Sequence, residues 1–390
     1  MILDNIFTMT RSLFKISTAF LSVFVSFAAK AQQDIVQRAI DKIKSAKNIS
    51  YQATETGEQF GSNFNNKIVV SLYNRQTDGT YQFYHSDLYL SSGKLGYIDD
   101  GNQQVELNYS DSTYELLPER KKALPPATLN SLLSSIEDRL VKHKDHYTVK
   151  LLADSVIDKQ LCYHIRAEAT DYKDGSFDRL HLFISKKDYL ILASKGELRS
   201  TFEKGGMKGG VMTQIVSSVY TNLHFSNTAL TKPVSLLIPN GFKPKGDAVS
   251  LLKNGETAPQ WTLKSTDGES LSLNDLKGKV VLLEFTFNGC PACMLALPSI
   301  EKLHKKYDGS DVAIVSVNFS DSKDDVAHFI KRNKIGSPIY IDGKPVSKLY
   351  HVSAGPTFYL IDKKGQINWS EPGYFEDFEN KMTASIEALR

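Results

Sequence analysis

The feature that most constrains this chain is an almost unbroken apolar run, Val280-Val-Leu-Leu-Glu-Phe-Thr-Phe287, which leads within three residues into Cys290-Pro291-Ala292-Cys293. A run without polar alternation predicts a strand buried on both faces, and such a strand needs helices or further chain above and below it. Helical spacing follows, with Ala296, Ile300, Leu303 and Tyr307 on one face. Pro291 suits the first position of that helix, where the N–H that proline lacks would have no partner. The two cysteines therefore stand at a strand-to-helix junction. Downstream the pattern predicts strand Val312–Phe319, helix Asp324–Asn333, strand Pro338–Asp342 and a short helix around Val346–Tyr350. Strands Thr357–Asp362 and Gln366–Trp369 and helix Phe375–Leu389 complete it. Upstream, Trp261–Lys264 and Ser270–Leu273 flank Asp267-Gly268 as a hairpin. Residues 255–390 thus read as an α/β domain with a central sheet covered on both faces.

Redox exchange is the chemistry such a junction favours. Exposed N–H groups at a helix N-terminus carry partial positive charge and stabilise a thiolate on Cys290. Cys293, one turn further on the same side, is placed to attack a mixed disulfide on Cys290. Cys290 is then the nucleophile and Cys293 the resolving thiol. A zinc site would need a second pair of ligands, and no second CxxC or His pair exists. Haem attachment needs His after the second cysteine, where Met294 stands. A structural staple closing so short a loop constrains little chain. The chain has only three cysteines, and the third, Cys162, reads as an inert strand residue sharing a face with His164 and Arg166. Glu284 interrupts the buried run, where desolvation should raise its pKa unless it reaches solvent or pairs with a lysine such as Lys279.

Residues 255–390 resemble the TlpA/ResA branch of the thioredoxin-like family. The resemblance rests on Gly255-Glu-Thr-Ala-Pro259, Leu273-Asn-Asp-Leu-Lys-Gly-Lys-Val280, Cys290–Cys293 with Pro298, and Gly355-Pro-Thr-Phe-Tyr-Leu-Ile-Asp362. It implies a thioredoxin-like fold and a thiol–disulfide oxidoreductase whose only redox group is the Cys290–Cys293 disulfide, with no added cofactor or metal. It further implies a cis Pro356 beside the CxxC, with Gly355, Pro356 and Thr357 docking an extended substrate peptide. Glu284 matches a buried acid that exchanges a proton with the deeper thiol. Implied partners are client proteins with disulfides and a membrane thiol-transfer donor of the DsbD/CcdA type. Three positions depart from the family: Gly289 stands where Trp is common, Thr286 where an aromatic is common, and Ala296 where many members carry an acid. The peroxiredoxin pattern, Thr three residues before the cysteine, is not met because residue 287 is Phe.

The rest of the chain has a different texture. Arg11 and Lys15 precede the apolar stretch Ile16–Ala28, and Ala29-Lys30-Ala31 follows. That is the order of a secretory signal peptide over residues 1–31, so the mature chain should begin at Gln32 in the periplasm. The stretch is short and serine-rich for a membrane span, and without a cysteine at the cleavage site the protein should not be a lipoprotein. Residues 33–235 combine a short amphipathic helix (Ile35, Ala39, Ile43), alternating strands and a second helix at Pro126–Lys142. This predicts an α+β domain, an antiparallel curved sheet with one or two helices. It resembles the LolA-like half-barrel, which implies an apolar ligand, while a docking module with a filled core fits the same pattern. Residues 236–254, rich in Pro and Gly, read as a linker. A net charge of +3 without basic clusters gives no footprint for nucleic acid. Two functions remain: a periplasmic disulfide reductase acting on envelope proteins, or an envelope lipid-binding protein with an accessory thioredoxin-like domain.

Overall fold

Alternation governs the first half of the chain. In β1 (Asn48–Gln59) Ile49, Tyr51 and Ala53 are buried, and in β2 (Ser62–Arg75) the paired Ile68, Val70 and Leu72 are buried with them. Side chains two apart share a face, so both strands turn one apolar face inward. The computed structural model describes residues 32–390 apart from 60–61, 91–92, 118–128, 173–174, 205–206, 233 and 247–249. The expected leader, 1–31, and the first turn of the helix expected from Pro126 lie outside the described residues.

Strands β3 (Tyr81–Leu90), β4 (Gly93–Asp99), β5 (Gln104–Asn108) and β6 (Thr113–Leu117) extend this meander. A second antiparallel meander runs through β7 (Tyr147–Ile157), β8 (Gln160–Ala169), β9 (Phe177–Ser185), β10 (Ile191–Lys204) and β11 (Met207–Ser226). Pairing of β11 with β1 joins the two into one twelve-stranded sheet. Helix α1 (32–45) supplies Ile35, Val36, Ala39, Ile40 and Ile43 to the core on the inward face, and α2 (Leu129–Glu137) adds Leu129, Leu133 and Ile136. The first N–H of α2 donates to the Tyr51 hydroxyl at 2.8 Å. Beyond α2, Arg139 makes two 3.1 Å bonds to the buried Asp178, which also accepts from the Tyr147 hydroxyl. This is the antiparallel α+β layout that the alternation predicts.

Part of the expected linker, residues 236–254, lies against the first sheet. Val234, Leu236, Ile238 and Phe242 cover Ile98, Val105 and Leu107, and β12 (Lys243–Pro244) pairs in parallel with β6. The apolar residues at Leu236, Ile238 and Phe242 override the Pro and Gly around them and bind the segment to the sheet.

In the second domain β13 (Thr262–Lys264) and β14 (Ser270–Ser272) form the expected hairpin. The central β15 (Val280–Thr286) lies parallel to β16 (Val312–Asn318) and antiparallel to β18 (Thr357–Ile361). The outer strands are β17 (Ile339–Tyr340) and β19 (Ile367–Pro372), in the order β17-β16-β15-β18-β19. Parity sorts the two faces of β15. Val280 and Leu282 pack with α3 (Pro291–Tyr307) and α6 (Phe378–Leu389), while Val281, Leu283 and Phe285 pack with Trp261, Leu273, Val346 and Tyr350. Helices α4 (Lys323–Asn333) and α5 (Lys344–Leu349) connect the outer strands. A strand with both faces covered is what the unbroken apolar run required.

Candidate active site

The site grows from the end of β15. Its first support is a polar clamp under the loop 287–289. Asp321 accepts the Asn288 backbone N–H at 2.7 Å and the Asn318 side-chain amide at 2.9 Å, and Asn318 Oδ1 accepts the N–H groups of Ser320 and Asp321. Phe287 meets Phe319 edge to face, with centroids 5.6 Å apart. The chain then enters α3 with Cys290 as N-cap and Pro291 in its first turn.

Cys290 and Cys293 form a disulfide with Cα atoms 5.2 Å apart. Cys290 Sγ accepts the Cys293 N–H at 3.0 Å and lies 3.1 Å from the carbonyl oxygen of Gly355. One helix N–H is thus aimed at this sulfur at the N-terminus of α3, where negative charge is favoured. The Gly355–Pro356 peptide is cis, as the resemblance implied. At Gly355 a Cβ would stand 3.0 Å from the Phe287 ring and 3.1 Å from Cys293 Sγ, so any side chain here would crowd the pair unless Phe287 or the sulfur gave way by a few tenths of an ångström. Pro356 is buried and its carbonyl accepts from Gly373 at 2.7 Å. Thr357 is buried too, its hydroxyl donating to Ala354 O at 2.7 Å. The structure therefore gathers Cys290, Cys293, Gly355 and Pro356 in one place, just below the surface, with the Thr357 side chain holding the turn behind them.

Glu284 lies on the face of β15 that carries α3, since it shares parity with Val280 and Leu282. Only 4% of it is exposed, which excludes the solvent-facing alternative. Ser316, its cross-strand neighbour, donates to Glu284 Oε2 at 2.6 Å. Burial pushes the carboxyl from an ordinary 4.5 up to about 7, opposed by the Ser316 hydrogen bond and aided by the charge of Glu301. Near neutral pH this acid can both hold and release a proton.

The family departures have local consequences. Ala296 is fully buried in the apolar cluster between β15, α3 and α6, so that position offers no acid to the site. A Cβ at Gly289 would meet only the Phe287 ring, at 3.9 Å, so the space before Cys290 is open. Cys162 sits on β8 opposite Ser185 and is buried, and that burial pushes its thiol pKa up, away from reactivity. Sequence reasoning missed the clamp of Asn288, Asn318 and Asp321 and the Ser316 partner of Glu284. Asn318-Phe-Ser-Asp321 at the exit of a buried strand was the available signal.

A CxxC at a strand-to-helix junction, faced by a cis-proline loop on a five-stranded mixed sheet, defines a thioredoxin-like redox domain. The AhpC/TSA family matches residues 254–370. The thioredoxin-like protein YneN of Bacillus subtilis is 40% identical over 119 residues, 30% of this chain and 69% of that protein. The thiol-disulfide oxidoreductase ResA of Halalkalibacterium halodurans is 37% identical over 119 residues, 30% of this chain and 68% of that protein. The solved structure of StoA from Bacillus subtilis is 29% identical, with 33% of this chain and 97% of that one covered and a TM-score of 0.30. The chain belongs to the thioredoxin-like thiol–disulfide oxidoreductases of the ResA type.

Proposed function

We propose that this protein is an exported disulfide reductase of the periplasm, acting on envelope proteins and kept reduced by a membrane thiol-transfer donor of the DsbD/CcdA type. The observation that carries the reading is the seat of Cys290 Sγ, at the N-cap of α3 and beside the Gly355 carbonyl. In the reduced chain the Cys290 thiolate attacks one sulfur of a client disulfide. A Cys290–client S–S bond forms, and the other client sulfur leaves as a thiolate and takes up a proton. Cys293 then gives its proton to Glu284 and attacks Cys290 Sγ. The mixed disulfide breaks, the second client sulfur leaves, and two electrons have passed to the client. The chain is left with the Cys290–Cys293 disulfide, the form described above. The backbone around Gly355 and Pro356 holds the client segment extended during both steps.

Insulin reduction with dithiothreitol as donor tests the chemistry. The wild-type chain should turn over and Cys290→Ala should not; an undiminished rate in Cys290→Ala would refute the assignment. Cell fractionation tests the location, which fails if the protein is cytosolic with residues 1–31 intact. A second reading, an apolar ligand held by the N-terminal domain, is favoured by a cleft of about 650 Å³ between α1, the turn 138–142 and the start of β7, walled in part by Val36, Ile40, Leu140 and Val149. Lipid extracted from the purified chain and abolished by Val36→Asp would support it.

A further inference from the structure

A helix laid on a sheet leaves one side to solvent, because successive side chains fan out by about 100°. The second half of α3 behaves so, with Lys302, Lys305 and Lys306 exposed. Its first turns do not. Cys293, Met294, Leu295 and Ala296 are all buried, and four consecutive residues sweep about 300° of the helix circumference. Ala296 faces the core of its own domain, so the opposite side has another cover. Part of that cover is its own domain, where Val326, Phe329, Ile339 and Ile341 pack on Met294, and the rest is the N-terminal domain. Strands β10 and β11 pack along α3, and β2 packs against α4. Met212 of β11 joins the cluster that contains Met294, Leu297, Val326, Phe329 and Ile330. Arg332, in the last turn of α4, forms an ion pair with Glu58 near the end of β1.

We propose that the N-terminal domain is the second wall of the active site and selects its clients. It occupies the flank of the thioredoxin-like fold beside the resolving cysteine. Cys290 itself is only 2% exposed, and the half-buried Gly289 and Gly355 beside it, neither of which carries a side chain, mark the narrow approach that remains. That approach admits a disulfide on a slender, extended segment and disfavours one set in a broad protein surface, which would collide with the N-terminal domain packed along α3. Specificity here comes from steric exclusion of the wrong partner rather than from added contacts with the right one. The inference rests on the oxidoreductase reading and deepens it, by naming the class of client.

The test compares two probes on the full chain, glutathione disulfide as the slender one and insulin as the broad one. The double variant Met212→Glu with Glu58→Arg removes the apolar contact of Met212 and the ion pair with Arg332, and so weakens the wall. It should raise the rate on insulin about fivefold or more, while the rate on glutathione disulfide stays within about twofold. Exchanging the charges, Glu58→Arg with Arg332→Glu, restores the ion pair and should return the insulin rate to the wild-type value. An insulin rate that stays level or falls in the double variant overturns the proposal. So do rates that rise together on both probes, since the contact would then tune the thiols instead of gating access. Absence of turnover by the wild-type chain on both probes would instead strike the oxidoreductase reading itself.

Discussion

Replacing Glu284 with glutamine removes a proton site that folding perturbs, and the size of the effect follows from the burial of that site. Folding lifts the carboxyl from an ordinary 4.5 to about 7. Between those values the folded chain keeps a proton that the unfolded chain has released, so stability falls as pH rises. The contribution is fully present below pH 4.5, is lost through the interval and is gone above about pH 7. A displacement of that size amounts to about 3 kcal/mol. Glutamine keeps the shape and can still accept the Ser316 hydroxyl through its amide oxygen, but it does not ionise. Urea unfolding of oxidised wild type and variant across this range gives the difference directly, with the other titrating groups cancelling. The stability of Glu284→Gln relative to wild type should climb by about 3 kcal/mol from acid to neutral pH. A difference flat to within about 1 kcal/mol would refute a buried acid poised near neutrality. The same variant should slow release of mixed disulfides more than their formation, because only the resolving thiol has to lose a proton beneath α3; equal slowing of both steps would reduce Glu284 to a structural residue.

Three further substitutions test the structure around the site and its supporting domain. Gly355→Ala forces a methyl group against Phe287 and Cys293 Sγ; it should lower the insulin reduction rate at least tenfold and cost about 1–3 kcal/mol in urea unfolding. Tyr51→Phe strips the acceptor from the first N–H of α2 and should destabilise by about 1–3 kcal/mol while leaving the active-site chemistry unchanged, as read by unfolding and turnover together. Arg139→Ala strands the carboxylate of Asp178; calorimetry should register a loss of about 3–5 kcal/mol, and a loss under 1 kcal/mol would mean that the pair is not a buried anchor.

Much of the second domain was legible because its signals are local. The apolar run of β15 announced two covered faces, and the spacing from Ala296 to Tyr307 announced the helix. Pro291 and the CxxC located the junction between them, and Glu284 stood out as a carboxyl without an exit. The N-terminal sheet was legible by alternation, though its strand order was not, because the β1–β11 pairing joins residues far apart in sequence. The path of residues 236–254 was not legible for a related reason: Leu236, Ile238 and Phe242 are too sparse to make a period, and their partners lie on β4 and β5. The contact between domains left no trace in the pattern at all. Met212 and Glu58 look like ordinary strand residues until α3 and α4 are brought to them. The Asn288–Asn318–Asp321 clamp likewise depends on two strand exits becoming neighbours, which the parallel pairing of β15 and β16 brings about.

The measurement that most directly tests the central claim is capture of mixed disulfides by the full chain carrying Cys293→Ala. Removing the resolving thiol leaves the first exchange possible and blocks the second. The variant should accumulate reduction-sensitive adducts in cells, joined through Cys290, whose mass spectra identify clients and donor alike. Adding Cys290→Ala should abolish them, and adding Cys162→Ala should change nothing. Adducts that persist without Cys290 and vanish without Cys162 would contradict the account.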